Sequence, residues 1–140
     1  MWWNQILAIV LIPISVLIFL WAVSKSKAGQ FYGDTPYLWP LGIYVWGDAL
    51  VLAPFWLLSA GLLWVMGPLI SLRYLAVFFS VRAAFEVVYW LNHQFSGKRY
   101  QAPLLKKITW LSAADSAVLY QVMNMCLMMF SLGLLLLSYR

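Results

Sequence analysis

The sequence predicts an all-α, polytopic integral membrane protein, with four transmembrane helices in an antiparallel bundle that forms a single domain over residues 1–140. Three observations predict it. First, 65% of the residues are hydrophobic and only 9% are charged, whereas soluble domains carry roughly half and a quarter. With a mean hydropathy of +0.86, most of the outer surface must face something other than water. Second, four stretches, residues 3–23, 38–65, 69–95 and 117–139, are apolar over the length of about 20 residues that crosses the hydrocarbon. Third, tryptophans and tyrosines stand near the ends of these stretches, at Trp2, Trp3, Trp21, Trp39, Trp64, Tyr100, Trp110 and Tyr139, as in the aromatic belts of membrane proteins.

The first span lacks a basic segment before it and is followed by Lys25 and Lys27, so it reads as a retained helix and not as a cleaved signal. Spans two and three are long, which predicts tilt or buried ends. Only Met66-Gly67-Pro68 separates them, with Pro68 suited to a first helical turn, so they form a tight hairpin. In the connection KSKAGQFYGDTPYLWP, Asp34 or Thr35 is placed to cap the start of span two. In SGKRYQAPLLKKITWLSAADS the apolar and basic residues mix as in a short helix lying on the membrane surface, or as a loop that only sets orientation. Ser112 and Asp115 have the S-x-x-D spacing of a helix start. Gly47, Ala60 and Gly61 are small residues of the kind that let helices approach closely.

Basic residues collect in two connections: Lys25 and Lys27 in the first, and Lys98, Arg99, Lys106 and Lys107 in the third. The opposite side offers Arg73 and Arg140. The positive-inside rule then makes residues 24–37 and 96–116 cytoplasmic and both termini extracytoplasmic. The setting this implies is a bacterial inner membrane.

The net charge of +5 is not a nucleic-acid signal, because the basic residues are confined to these short segments. One cysteine, Cys126, and one histidine, His93, exclude an internal disulfide, a cysteine metal cluster and any multi-histidine site. With no phosphate-binding glycine loop either, the sequence calls for no metal and no cofactor. Met123, Met125, Met128 and Met129 read as packing or lipid-facing residues.

What remains is a set of polar residues inside the spans. Asp48 and Glu86 are two of only four acids, and each costs roughly 2.5–3.5 kcal/mol if ionised at a helix centre without a partner. Asp48 lies nineteen residues before Gly67 and Glu86 nineteen after it. The hairpin therefore puts both at matching depth, about 15 Å from the cytoplasmic helix ends. Arg82 stands one turn from Glu86. Ser15, Gln121 and Asn124 fall at comparable depth on the other spans. Tyr44, Trp46, Trp90 and His93 add rings near the carboxyls, and Asp115 lies at a level where it could orient His93. Two carboxyls for one arginine leave one negative charge to be balanced by a proton, by His93 or by a cationic ligand.

At WGDALVLAPFW and RAAFEVVYWLNHQF the chain resembles uncharacterised small four-span bacterial membrane proteins, a resemblance that carries no activity with it. It is more loosely similar to the EXPERA group of sterol isomerases and sigma-2-like receptors, which hold carboxyls and tryptophans in a cavity among four helices. Glu86, Asp48, His93 and Trp90 are of that kind. The seven-residue step from Glu86 to His93, the lack of a His-x-x-x-Glu in span two and the orientation depart from the group's pattern.

Three functions compete on these residues. The leading one is binding or transport of a small cationic or amphiphilic, lipid-like ligand, with proton coupling, at Asp48, Arg82 and Glu86. The second is a structural role, as a homo-oligomer or as an assembly subunit of a larger membrane complex. The third is a lipid isomerase or transferase using Glu86 and His93 as acid and base.

Overall fold

The computed structural model describes residues 1–95 and 108–140, and among these every regular element is helical. The helices are α1 (Trp3–Lys27), a 3₁₀ helix (Pro36–Leu41), α2 (Trp46–Val65), α3 (Pro68–Phe95) and α4 (Ala113–Leu137). The four α-helices, of 25, 20, 28 and 25 residues, are each long and apolar enough to cross a membrane, and the chain is a multi-pass membrane protein. Its packing divides into two units, Met1–Ser71 and Leu72–Arg140.

In the first unit α1 and α2 pack antiparallel. Asn4, near the start of α1, donates to the carbonyls of Leu63 and Met66 at the end of α2, at 2.7 and 2.8 Å. At the other end Ile18 and Ala22 share a cluster with Trp46, Ala49 and Ala53. The buried residues of α1 are Asn4, Ala8, Leu11, Ser15, Ile18 and Ala22, a strict alternation of four- and three-residue steps. On α2 the matching seam is Trp46, Ala49, Ala53, Trp56, Ala60 and Leu63. A 3.5-residue repeat keeps two helices facing each other along their length. Lipid tails are as apolar as leucine, so helix association in a membrane depends on close van der Waals contact. Ala8, Ser15 and Ala22 on one helix and Ala49, Ala53 and Ala60 on the other supply it.

The second span does not begin at Leu38. Residues 38–45 have the apolar character of a span, but Pro36 and Pro40 favour a short 3₁₀ turn, and Gly42 ends it in the left-handed region at φ 72°. The α-helix starts only at Trp46. Neither Asp34 nor Thr35 caps it: Asp34 pairs with Val45 in an isolated antiparallel bridge, and the Thr35 hydroxyl donates to the Ile43 carbonyl at 3.3 Å. The amides that a helix start leaves without an intrahelical acceptor are met by loop carbonyls, with Trp46 N–H donating to Gly33 at 3.1 Å and Gly47 N–H to Phe31 at 2.9 Å. Gly47 leaves room for the Phe31 ring, which a Cβ there would displace. Its close neighbour is the loop and not another helix. Gly61 is exposed, with open space where a Cβ would be, so it mediates no close approach.

In the second unit α3 and α4 are also antiparallel. Arg73 holds the end of α4: its Nε donates to Ser138 Oγ at 3.1 Å, a second nitrogen donates to the Ser138 carbonyl, and the guanidinium lies 3.9 Å from the Tyr139 ring centroid. A cation at a helix C-terminus meets both the free carbonyls and the negative end of the dipole. At the other end Gln121 donates to Gln94 at 2.9 Å. The start of α4 is a capping box, with Asp115 N–H donating to Ser112 Oγ at 3.1 Å and Ser112 N–H to the Asp115 carboxylate at 3.1 Å. Of the third connection, residues 96–107 and any surface helix there lie outside the described residues.

Candidate functional site

Glu86 is at the centre of the polar residues in the second unit. It sits in mid-α3 and keeps only 7% of its surface exposed. Arg82, one turn earlier, forms an ion pair with its Oε1. Trp90, one turn later, donates its indole N–H to Oε2 at 3.2 Å. Three residues at four-residue spacing thus share one helix face, and the carboxylate accepts from both a guanidinium and an indole.

Rings surround the next turn. The indole of Trp90 stacks on Tyr120 of α4 at 4.6 Å and 11°. His93 lies edge-on to Trp90 at 5.6 Å and stacks on Tyr89 at 5.9 Å. Asn124 is buried and donates to the Tyr120 carbonyl at 2.9 Å within its own helix. Of the residues singled out in the sequence, the second unit therefore brings together Arg82, Glu86, Trp90 and His93, with Tyr120 as a ring the sequence reading missed. Gln121 acts as an interhelical link to Gln94, and Asn124 bonds back along α4. Asp115 serves the Ser112 cap.

Asp48, Tyr44 and Trp46 belong to the first unit. Asp48 is in the first turn of α2, not its middle, because the helix starts eight residues later than the apolar run suggests. Its Oδ2 accepts the N–H of Tyr44 at 3.1 Å. A carboxylate in a first turn also gains from the positive end of the helix dipole. Backbone is thus one of its partners, of a type that counting charged side chains does not reveal. Tyr44 packs against Trp39 at 5.8 Å, and Trp46, which is buried, against Tyr37 at 6.3 Å.

The sequence reading also passed over Asn4, which is 1% exposed and closes the end of α2. The available signal was its place one step before Ala8 and Leu11 on the α1 seam. Among the described residues no group of three His, Cys, Asp or Glu could hold a metal ion. No protein-family model, curated protein or solved structure matches this chain.

Proposed function

We propose that this protein binds a small cationic or amphiphilic ligand at Glu86, with proton exchange at the same carboxylate, in a bacterial inner membrane with both termini extracytoplasmic. The observation that carries the reading is a buried carboxylate in a membrane-spanning helix, held by Arg82 and Trp90 and followed by the rings of Tyr89, Trp90, His93 and Tyr120. Ionisable groups at such depth are costly and mark ligand or proton pathways by default. A carboxylate beside aromatic faces is a cation-recognition chemistry.

The coupling follows from a carboxylate that ligand and proton would share. Arg82 pairs with Glu86, and a buried carboxylate that gives up its cationic partners takes another cation or a proton, because an isolated charge is not sustained in an apolar medium. Ligand and proton then exclude each other. The test is calorimetric binding of tetraphenylphosphonium to the protein in lipid nanodiscs. Glu86→Gln should abolish the binding. Wild-type-like binding by Glu86→Gln would overturn the assignment.

A second reading, an assembly subunit of a larger membrane complex, is favoured by one observation. Asn4, Gln121, Asn124 and Glu86 all have partners within their own units, while the large apolar side chains of Phe85, Met129 and Phe130 are exposed. Gentle solubilisation followed by native mass measurement tests it, and a stable monomer would count against it.

A further inference from the structure

The segment between α1 and α2 has an unusual path. Trp46 and Gly47 take up the carbonyls of Gly33 and Phe31, so the chain passes the start of α2 at that level. It then continues past it. Leu38 and Ile43 pack in one cluster with Ala49 and Ala53 of α2 and Ile18 of α1, and Ala53 is seven residues, about 10 Å, inside α2. The indole of Trp56 donates to the Leu41 carbonyl at 2.8 Å. Trp56 is ten residues, about 15 Å, inside the helix and its side chain leans back toward the N-terminus, which again puts Leu41 roughly 10 Å below the helix start. Gly42 turns the chain, and it climbs back beside its own descent: Thr35 N–H donates to the Tyr44 carbonyl at 2.9 Å, and Asp34 bridges Val45.

The opposite partner, α1, rises above this level. Ala22 packs near Trp46, and Lys25 and Lys27 follow, so α1 ends about 7 Å higher along its axis. If the lysines mark the surface, the tip of the segment lies well below it.

Backbone that enters lipid must satisfy its own polar groups, and much of this segment does. The carbonyl of Thr35 accepts from Leu38, that of Trp39 from Gly42, that of Leu38 from Ile43, that of Tyr44 from Thr35 and that of Leu41 from Trp56. The N–H of Tyr44 goes to Asp48. Pro36 and Pro40 have no N–H to satisfy. The descending and returning residues are largely apolar, and a loop lying in water would not need a tryptophan nearly three turns inside the helix to meet its carbonyl.

We propose that residues 36–45 form a re-entrant membrane element, which enters and leaves on the side of Lys25 and Lys27 and places Asp48 below the membrane surface. The experiment uses full-length protein with Cys126→Ala in phosphatidylcholine vesicles and a nitroxide on Tyr32→Cys, Tyr37→Cys or Pro40→Cys. All three native residues are exposed, so a label does not invade the core. Collision rates are read with oxygen, which concentrates in lipid, and with a water-soluble nickel chelate. The expected ratio of oxygen to nickel collisions is several-fold higher at 40 than at 32, with 37 between or equal to 40. Equal ratios at all three sites would overturn the proposal. Adding Trp56→Phe should raise nickel access at 37 and 40, because the freed Leu41 carbonyl must then find water. Unchanged access there would also count against an element held within lipid.

Discussion

At the scale of single residues, low dielectric raises the consequence of every polar contact, because no water replaces a lost partner. Trp90→Phe keeps the ring on Tyr120 but removes the indole N–H from Glu86. It should cost about 1 kcal/mol, seen as a small drop in the thermal midpoint in detergent. Trp90→Ala removes the stack as well and should cost about 3–5 kcal/mol. Comparable losses for the two would show that the ring contact contributes little. Asn4→Ala is the corresponding test in the first unit. Removing the amide leaves the Leu63 and Met66 carbonyls without that donor, at about 1–3 kcal/mol, and the same thermal measurement checks it. The Arg82–Glu86 pair was legible in the sequence because four-residue spacing on a helix fixes proximity. The position of Asp48 was not, since a depth count assumes that the whole apolar run is helix. The Trp90–Tyr120 stack was also hidden, because the register between two helices is set by their joint packing and not by either one's spacing.

At the scale of elements, the two glycines of α2 give opposite expectations. Gly47→Ala puts a methyl into the Phe31 ring, and crowding of this kind typically costs about 1–3 kcal/mol. Gly61→Ala meets open space in a helix interior, where alanine is favoured over glycine by roughly 0.5–1 kcal/mol. Thermal midpoints of the two variants in detergent should therefore move in opposite directions, and a fall for both would remove the packing argument. Ser112→Ala deletes the cap of α4 and should cost about 1 kcal/mol, read as a lower midpoint in the same assay. Spans and the S-x-x-D start were readable because hydropathy and capping are local signals. The loop before α2 was not, since its bonds join residues far apart in sequence, as Gly47 does Phe31 and Trp56 does Leu41, and its residues are apolar enough to pass for more helix.

At the scale of the whole molecule, the orientation proposed above rests on which charges are available at the membrane surface. Lys25 and Lys27 are exposed at the end of α1, and Lys98, Arg99, Lys106 and Lys107 follow α3 in sequence. Juxtamembrane lysines and arginines are what the positive-inside rule counts. Arg73 is on the opposite side but is engaged by the Ser138 carbonyl, its hydroxyl and the Tyr139 ring. Its charge is therefore partly used in closing a helix end, which leaves Arg140 as the more accessible cation there. The imbalance favours both termini outside the cytoplasm. A C-terminal alkaline phosphatase fusion, active only when exported, should be active, and a fluorescent-protein fusion that matures only in the cytoplasm should be dark. Replacing Lys98, Arg99, Lys106 and Lys107 together by glutamine should lower the phosphatase signal and raise the fluorescence, because the count then falls to two basic residues on each side. Full fluorescence in the unaltered chain would reverse the orientation, and with it the side from which the segment before α2 enters the membrane.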